Sequence, residues 1–459
     1  MPIDRLTDLD LVMLGASKTW PQDIAALAIL DGRPLLDQAG SLRMDLVQHA
    51  LAARIHLVPR LRQVISTPSR ELGGPLWLDH PGFDLSEHVK QHPVEPPGDD
   101  RRLAETIEGL RRSPLDPTRP MWDMWFLTGL AEQRVGLYIR IHHTIADGMA
   151  VMASIAALLD TQLGSGALPA RPWKPDKPPS DFELRTDVRR RRAIGRRRRL
   201  DQLLHPKASL HELRRALPAI RELLAEEPAT RTSLDHVVGA TRDLALVRTS
   251  LEAVDETAHF YGGTINDVLL AVTAGGLRAL LQARGEPVEG TTMRIFVPVS
   301  LRERSPGPQQ GNLIAQMVVP LRLGEPDPAR RLVEIVAETK GRKKKARISL
   351  GVLMHGRIMR RLLLALVMRQ RVNATSASIP GPTKPLYLAG AQLVEVFPVL
   401  PLIANEPLGV GCLSYAGKLF IGVTVDAETV PDLDLFTEGV RSDLDVLTSI
   451  RPQEERSMR

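Results

Sequence analysis

At 459 residues the chain is longer than one hydrophobic core usually grows, so two domains or one large pseudo-duplicated domain are expected. Its net charge of +6 favours an anionic contact (nucleic acid, phospholipid surface or phosphate-bearing cofactor) without choosing among them. A single cysteine, Cys412, excludes an internal disulfide framework. No signal-peptide pattern occurs, and no apolar run approaches the ~20 residues that span a bilayer, so a soluble cytoplasmic protein lying on a membrane surface is expected.

In chain order, Ile24 to Leu30 is an apolar run that stops at Asp31-Gly32, a turn signal, and Leu42 to Ala53 has helical spacing. Between Val135 and Ile141 the residues Val135, Leu137, Ile139 and Ile141 share one side. Gly136, Tyr138 and Arg140 fall on the other, the pattern of a half-buried strand. Met149 to Leu159 is continuously small or apolar and long enough for a buried helix. Residues 166–179 are too rich in proline for a helix or a central strand and read as an extended linker, followed by the basic run Arg189 to Arg199. Leu210 to Glu226 is helical in pattern. Thr264-Ile265-Asn266-Asp267 then leads into the apolar helix Val268 to Leu281. Strands are expected at Met293 to Val299, Leu313 to Leu321, Gly409 to Tyr415 and Leu419 to Val425, the last two flanking a hairpin turn at Ala416-Gly417. The division is therefore 1–165 as an N-terminal half, 166–235 as a Pro- and Arg-rich crossover, and 236–459 as a C-terminal half, each half α/β.

The strand ending at Ile141 carries His142 and His143 to its C-terminal edge, facing the start of a helix at about Asp147, where α/β proteins often hold their chemistry. His143 has the parity of the apolar side of the strand. A partly desolvated, neutral imidazole there can take a proton from an alcohol. Asp147 can cap the helix or hold a basic group, and Gly148 permits the tight turn. The competing reading is a pair of core or surface histidines beside a simple helix cap. A metal site is disfavoured because adjacent strand residues point apart and no Cys pair or His-x-x-x-His accompanies them.

His142-His143-x-x-x-Asp147-Gly148 resembles the signature of the acyltransferase superfamily that includes chloramphenicol acetyltransferase and peptide-synthetase condensation domains. Within it the chain is similar to the bacterial wax ester synthase/acyl-CoA:diacylglycerol acyltransferase family. The resemblance rests on six blocks in order: Pro114-Leu115-Asp116 through Arg119-Pro120-Met121-Trp122-Asp123; Asn266-Asp267; Pro298 to Arg302 with Gly311-Asn312; Pro380-Gly381-Pro382; Ser414 to Gly417; and Val430-Pro431-Asp432. It implies two chloramphenicol-acetyltransferase-like α/β halves joined by the crossover, with an active-site channel at their interface. It implies acyl-CoA as cosubstrate with no further cofactor, and diacylglycerol or a long-chain fatty alcohol as acceptor. His143 would be the general base and Asp147 structural, pairing with an arginine for which Arg302 is a candidate. Asn266 is a candidate oxyanion donor, and Pro114, Arg119, Trp122, Asp267, Arg302 and Ser378 are candidates for substrate binding.

Two positions depart from the family pattern. Trp20-Pro21-Gln22-Asp23-Ile24 stands where members often carry Met-His, and Ala377-Ser378 replaces the usual Ser-Asn before Pro-Gly-Pro, which puts acceptor preference or rate at issue. The Arg189–Arg192 and Arg196–Arg199 runs read as a solvated charged segment, or one drawn to an anionic membrane or lipid-droplet surface. Nucleic acid is not expected, because no aromatics interleave the arginines. The basic cluster at Arg342 to Lys345 precedes an amphipathic stretch, Val352 to Arg371. Cys412 reads as a buried structural thiol. Two alternatives to the leading function remain: a related transferase using another hydroxyl or amine, and a non-catalytic lipid-binding or droplet-coating protein.

Overall fold

A computed structural model describes residues 3–145, 148–164, 172–204, 229–300, 314–346 and 372–449. Asp147, Arg302, Gly311-Asn312, Leu210 to Glu226 and Val352 to Arg371 lie outside the described residues. The first half contributes α1 (Asp8–Ala16), β1 (Asp23–Asp31), α2 (Met44–Ala52), β2 (Gln63–Ser66), β3 (Leu76–Asp79), β4 (Val89–Pro93) and α3 (Asp100–Arg111). It continues with β5 (Trp122–Thr128), β6 (Arg134–His142) and α4 (Gly148–Leu158). The crossover carries α5 (Asp181–Leu204). The rest contains β7 (Arg242–Ser250), α6 (Leu251–Phe260), α7 (Ile265–Ala283), β8 (Thr292–Ser300), β9 (Ile314–Arg322) and α8 (Pro328–Ala346). The last elements are β10 (Ala374–Pro380), β11 (Tyr387–Leu388), β12 (Ala391–Val399), β13 (Leu408–Tyr415), β14 (Lys418–Asp426) and α9 (Leu433–Ser449).

These strands form two six-stranded sheets, ordered β11-β12-β1-β6-β5-β4 and β7-β14-β13-β10-β8-β9. The mixed α/β class with two sheet-rich halves is the one expected. Sheet one, however, draws β11 and β12 from the far end of the chain: β12 pairs antiparallel with β1, Ala25 opposite Val399. β6 sits between β1 and β5, so both its faces are covered. The expected half-buried strand is therefore a fully buried one. Its apolar face packs under α4 while Tyr138 and Arg140, each 1% exposed, are enclosed on the other. The β13–β14 hairpin turns as expected at Ala416 and Gly417, whose positive φ values of 46° and 81° give a tight two-residue reversal.

The C-terminal part of β12, beyond its pairing with β11, lies on sheet two. Pro398 rests on Gly411 and Gly422, which face each other across β13 and β14, and a side chain at Gly422 would run into the Pro398 carbonyl. Phe397 meets Phe420 edge-on at 5.2 Å. Arg248 on β7 bonds Glu395 on β12 at 2.8 Å and Asp100 on α3 at 2.6 Å, tying the second half to both parts of sheet one.

The described part of the Pro-rich linker, residues 172–180, holds neither helix nor strand, as expected. It is pinned to the first half by Trp173, edge-on to Phe83 at 6.2 Å and covered by the Arg62 guanidinium at 4.5 Å. The basic run is not a loose segment. It belongs to α5, which docks through Leu184 against Leu72 and Leu76 and through an Arg5–Asp187 ion pair of 2.6 Å.

Candidate active site

β6 ends at His142 because the chain must turn there to reach α4, and main-chain bonds hold that turn. The His142 N–H donates to the Met121 carbonyl at 2.9 Å, that of His143 to Gln22 at 2.9 Å, and that of Ile145 to His142 at 2.8 Å. Two strands on either side of β6 thus grip its last residues. The two histidines then part company. His142 is 4% exposed; its Nδ1 accepts from the Thr144 N–H at 3.2 Å and lies 2.8 Å from the Thr144 hydroxyl. An amide can only donate, so Nδ1 carries the lone pair and Nε2 the proton. Burial, with His143 adding a smaller repulsion, lowers the His142 pKa to about 4. It is neutral at pH 7, and its Nε2–H finds no partner among the described residues. His143 is only half-buried, so a substrate can reach it.

Behind the turn lies a buried charge cluster. Arg140 donates to Asp123 at 2.9 Å and to the Arg111 carbonyl at 3.2 Å, and its guanidinium stands 3.9 Å from Asp23. Asp23 faces His142 directly across the β1–β6 register. Its pKa is raised because burial outweighs the attraction of Arg140. This cluster, Gln22 and Thr144 are absent from the sequence-level candidates. The available signal was an arginine alternating with apolar residues in a strand that leads to the histidines.

On the other face of β6, α4 closes down on Leu137 and Ile139, leaving a void of about 10 Å³. That is room for one water at most.

Pro114, Arg119 and Trp122 come together along a groove of about 330 Å³ on the Arg140 face of sheet one. Trp122 is a core residue, 1% exposed, donating its ring N–H to the Leu61 carbonyl at 2.8 Å and stacking on His88 at 4.5 Å. Arg119 bonds Glu87 at 3.0 Å and Asp116 at 3.2 Å, fixing the loop.

Asn266 and Asp267 open α7. Asp267 caps the helix at Thr264 and accepts from Thr339 on α8 at 2.7 Å. Asn266 is half-buried, and its side chain makes no hydrogen bond with the described residues. Further along, Arg278 reaches the Leu323 carbonyl beyond β9 and Arg284 the Thr429 carbonyl beyond β14. Those bonds set the C-terminal end of α7 at the edge of sheet two that holds Gly409, against which Leu400 and the histidine end of sheet one pack. Ser378 contacts the buried Cys412 thiol, which burial pushes up to about 11. Gly148 is the first residue of α4. Nearer the histidine end, Thr375 donates to Glu406 in the loop after β12, and burial pushes that carboxyl up to about 7.

Among the described residues no group of three His, Cys, Asp or Glu is placed to hold a metal ion, and no single helix is long and apolar enough to cross a membrane.

The wax ester synthase/diacylglycerol acyltransferase catalytic-domain model matches residues 6–269, and the C-terminal-domain model of the same family matches residues 310–448. A Mycobacterium tuberculosis protein named as a diacylglycerol O-acyltransferase is 27% identical over 98% of this chain and 96% of its own length. A second from that organism is 28% identical over 87% of each chain. Among solved structures, the wax ester synthase/diacylglycerol acyltransferase of Marinobacter aquaeolei VT8 is similar with a TM-score of 0.67 at 21% identity, covering 97% of this chain and all (100%) of that one. The first condensation domain of the calcium-dependent antibiotic synthetase shares the fold with a TM-score of 0.63 at 15% identity, over 97% and 96% of the two chains. With a catalytic-domain model spanning more than half its length and the C-terminal model following in order, the chain belongs to the wax ester synthase/diacylglycerol acyltransferase family.

Proposed function

We propose that this chain moves a long-chain acyl group from acyl-CoA to the hydroxyl of diacylglycerol, a long-chain fatty alcohol, or both, giving triacylglycerol or wax ester. His143 acts as general base. The observation that carries the assignment is the difference between the two histidines. His142 is buried, neutral and committed through Nδ1 to Thr144. His143 is half-buried on a main chain held by Gln22.

The step is direct. His143 takes the proton as the acceptor oxygen attacks the thioester carbonyl, a tetrahedral oxyanion forms, and its collapse expels the CoA thiolate, which recovers the proton from His143. His142 and Thr144 hold the turn, and Arg140 with Asp123 and Asp23 backs it. Asn266, at the head of α7, is the candidate donor to the oxyanion, and Asp267 caps its helix. The route needs acyl-CoA as cosubstrate and no resident cofactor. Its acceptors dissolve in lipid, so the protein works in the cytoplasm at the surface of a membrane or lipid droplet. The test is free CoA release from palmitoyl-CoA with diacylglycerol or hexadecanol, comparing the wild type with His143→Ala. Equal release by both proteins removes His143 as base.

A further inference from the structure

Among the described residues, α5 carries a dense run of exposed positive charge. Its N-terminal part is fastened: Leu184 is buried, Asp187 bonds both Arg5 and Arg191, and Arg185 reaches Glu71. Its other side is not. Arg189, Arg190, Arg192, Arg196 and Arg197 are all exposed and have no acidic partner among the described residues. On a helix advancing about 100° per residue, Phe182, Arg189 and Arg196 fall on one line, with Arg190 and Arg197 on one flank and Arg192 on the other. Leu184 and Arg191 point the opposite way, toward the body of the protein. Phe182, on the same line but two turns nearer the helix N-terminus, beside Asp181 and Glu183, is 76% exposed.

We infer that this face of α5 docks the protein on an anionic phospholipid surface, the arginines meeting headgroup phosphates and Phe182 entering the apolar boundary. The inference rests on the lipid-soluble acceptor proposed above. Guanidinium groups fork onto phosphate oxygens, and a rigid helix presents them in one plane at little ordering cost. An exposed large apolar side chain in line with such a basic face suits an interfacial helix. A nucleic acid would gain from the same charges, but only one aromatic accompanies them, too few for base stacking along a strand.

The test is flotation of the full-length protein with vesicles of phosphatidylcholine, alone or mixed with phosphatidylglycerol. The wild type should float with the mixed vesicles, stay behind with phosphatidylcholine alone, and lose binding at high salt. Replacing Arg189, Arg190, Arg196 and Arg197 together by glutamine should weaken binding at least tenfold. Because these residues make no ion pairs among the described residues, the melting temperature and CoA release with detergent-dispersed acceptor should stay at wild-type values. Phe182→Ser should weaken binding severalfold and leave its salt dependence in place. Unchanged flotation of the glutamine variant, or no wild-type preference for phosphatidylglycerol, overturns the inference. So does tighter, vesicle-displacing binding to a duplex oligonucleotide. Wild-type silence toward every acceptor in detergent, with flotation intact, would instead overturn the acyl-transfer reading and leave the docking surface standing.

Discussion

The main-chain N–H of His143 donates to the carbonyl of Gln22 at 2.9 Å, one residue before Asp23 faces His142 across the β1–β6 register. The main chain of the base is thus held by the neighbouring strand segment, so the turn does not rest on the side chain alone. His143→Ala should lower kcat by about 10²–10⁴-fold, the usual contribution of a positioned base, with an unchanged melting temperature. A melting temperature that falls together with activity would show that the residue is structural.

His142 predicts a pH signature of the opposite kind. Its pKa falls from 6.5 unfolded to about 4 folded, so the unfolded chain binds the extra proton. Its contribution to stability is complete above about pH 6.5 and is lost as the pH falls toward 4. The loss should be about 1–3 kcal/mol. Urea unfolding at several pH values should show a shallower acid-side decline for His142→Asn than for the wild type. Parallel declines would contradict the assignment.

Glu406 behaves in reverse. Its pKa rises from 4.5 to about 7, so its carboxyl is favoured protonated in the folded chain, and stability is lost as the pH climbs through that interval. Glu406→Gln should therefore stabilise the protein at pH 8 relative to pH 5 by about 1–3 kcal/mol. The same difference at both pH values would mean the carboxyl is solvated.

Gly422→Val tests the junction of the halves. The added side chain meets the Pro398 carbonyl, a backbone atom that cannot swing aside. Overpacking of this sort should cost about 1–3 kcal/mol or more, and it should lower activity through displacement of β12. A variant at Gly417, whose surroundings are open, is the contrast: its strain is local to the hairpin turn, and CoA release should stay near wild type. Wild-type stability in Gly422→Val would show that β12 does not lie where the structure puts it.

Much of the fold is legible locally. Val135 to Ile141 marks β6 almost to the residue, Met149 to Leu159 marks α4, and Val268 to Leu281 falls inside α7, because each is long and periodic. The burial of Arg140 is not legible, since alternation shows two faces and not what covers them. The same holds for β12, whose residues form a strand visible as such only once β1 is beside it. Arginine-rich composition hides α5 as a docked helix, since one buried leucine, Leu184, carries much of its attachment.

The borrowing of β12 by sheet one also bears on how the protein is made. While the chain is being synthesised, β1 lacks its outer neighbour until residue 399 has emerged, at roughly 5–20 residues per second, an interval on the order of tens of seconds. Throughout it an apolar strand with seven buried residues at its centre presents an open edge. A fragment ending at the crossover would keep that edge for good. Chaperone dependence and aggregation of N-terminal fragments therefore follow from the same strand that joins the two finished halves.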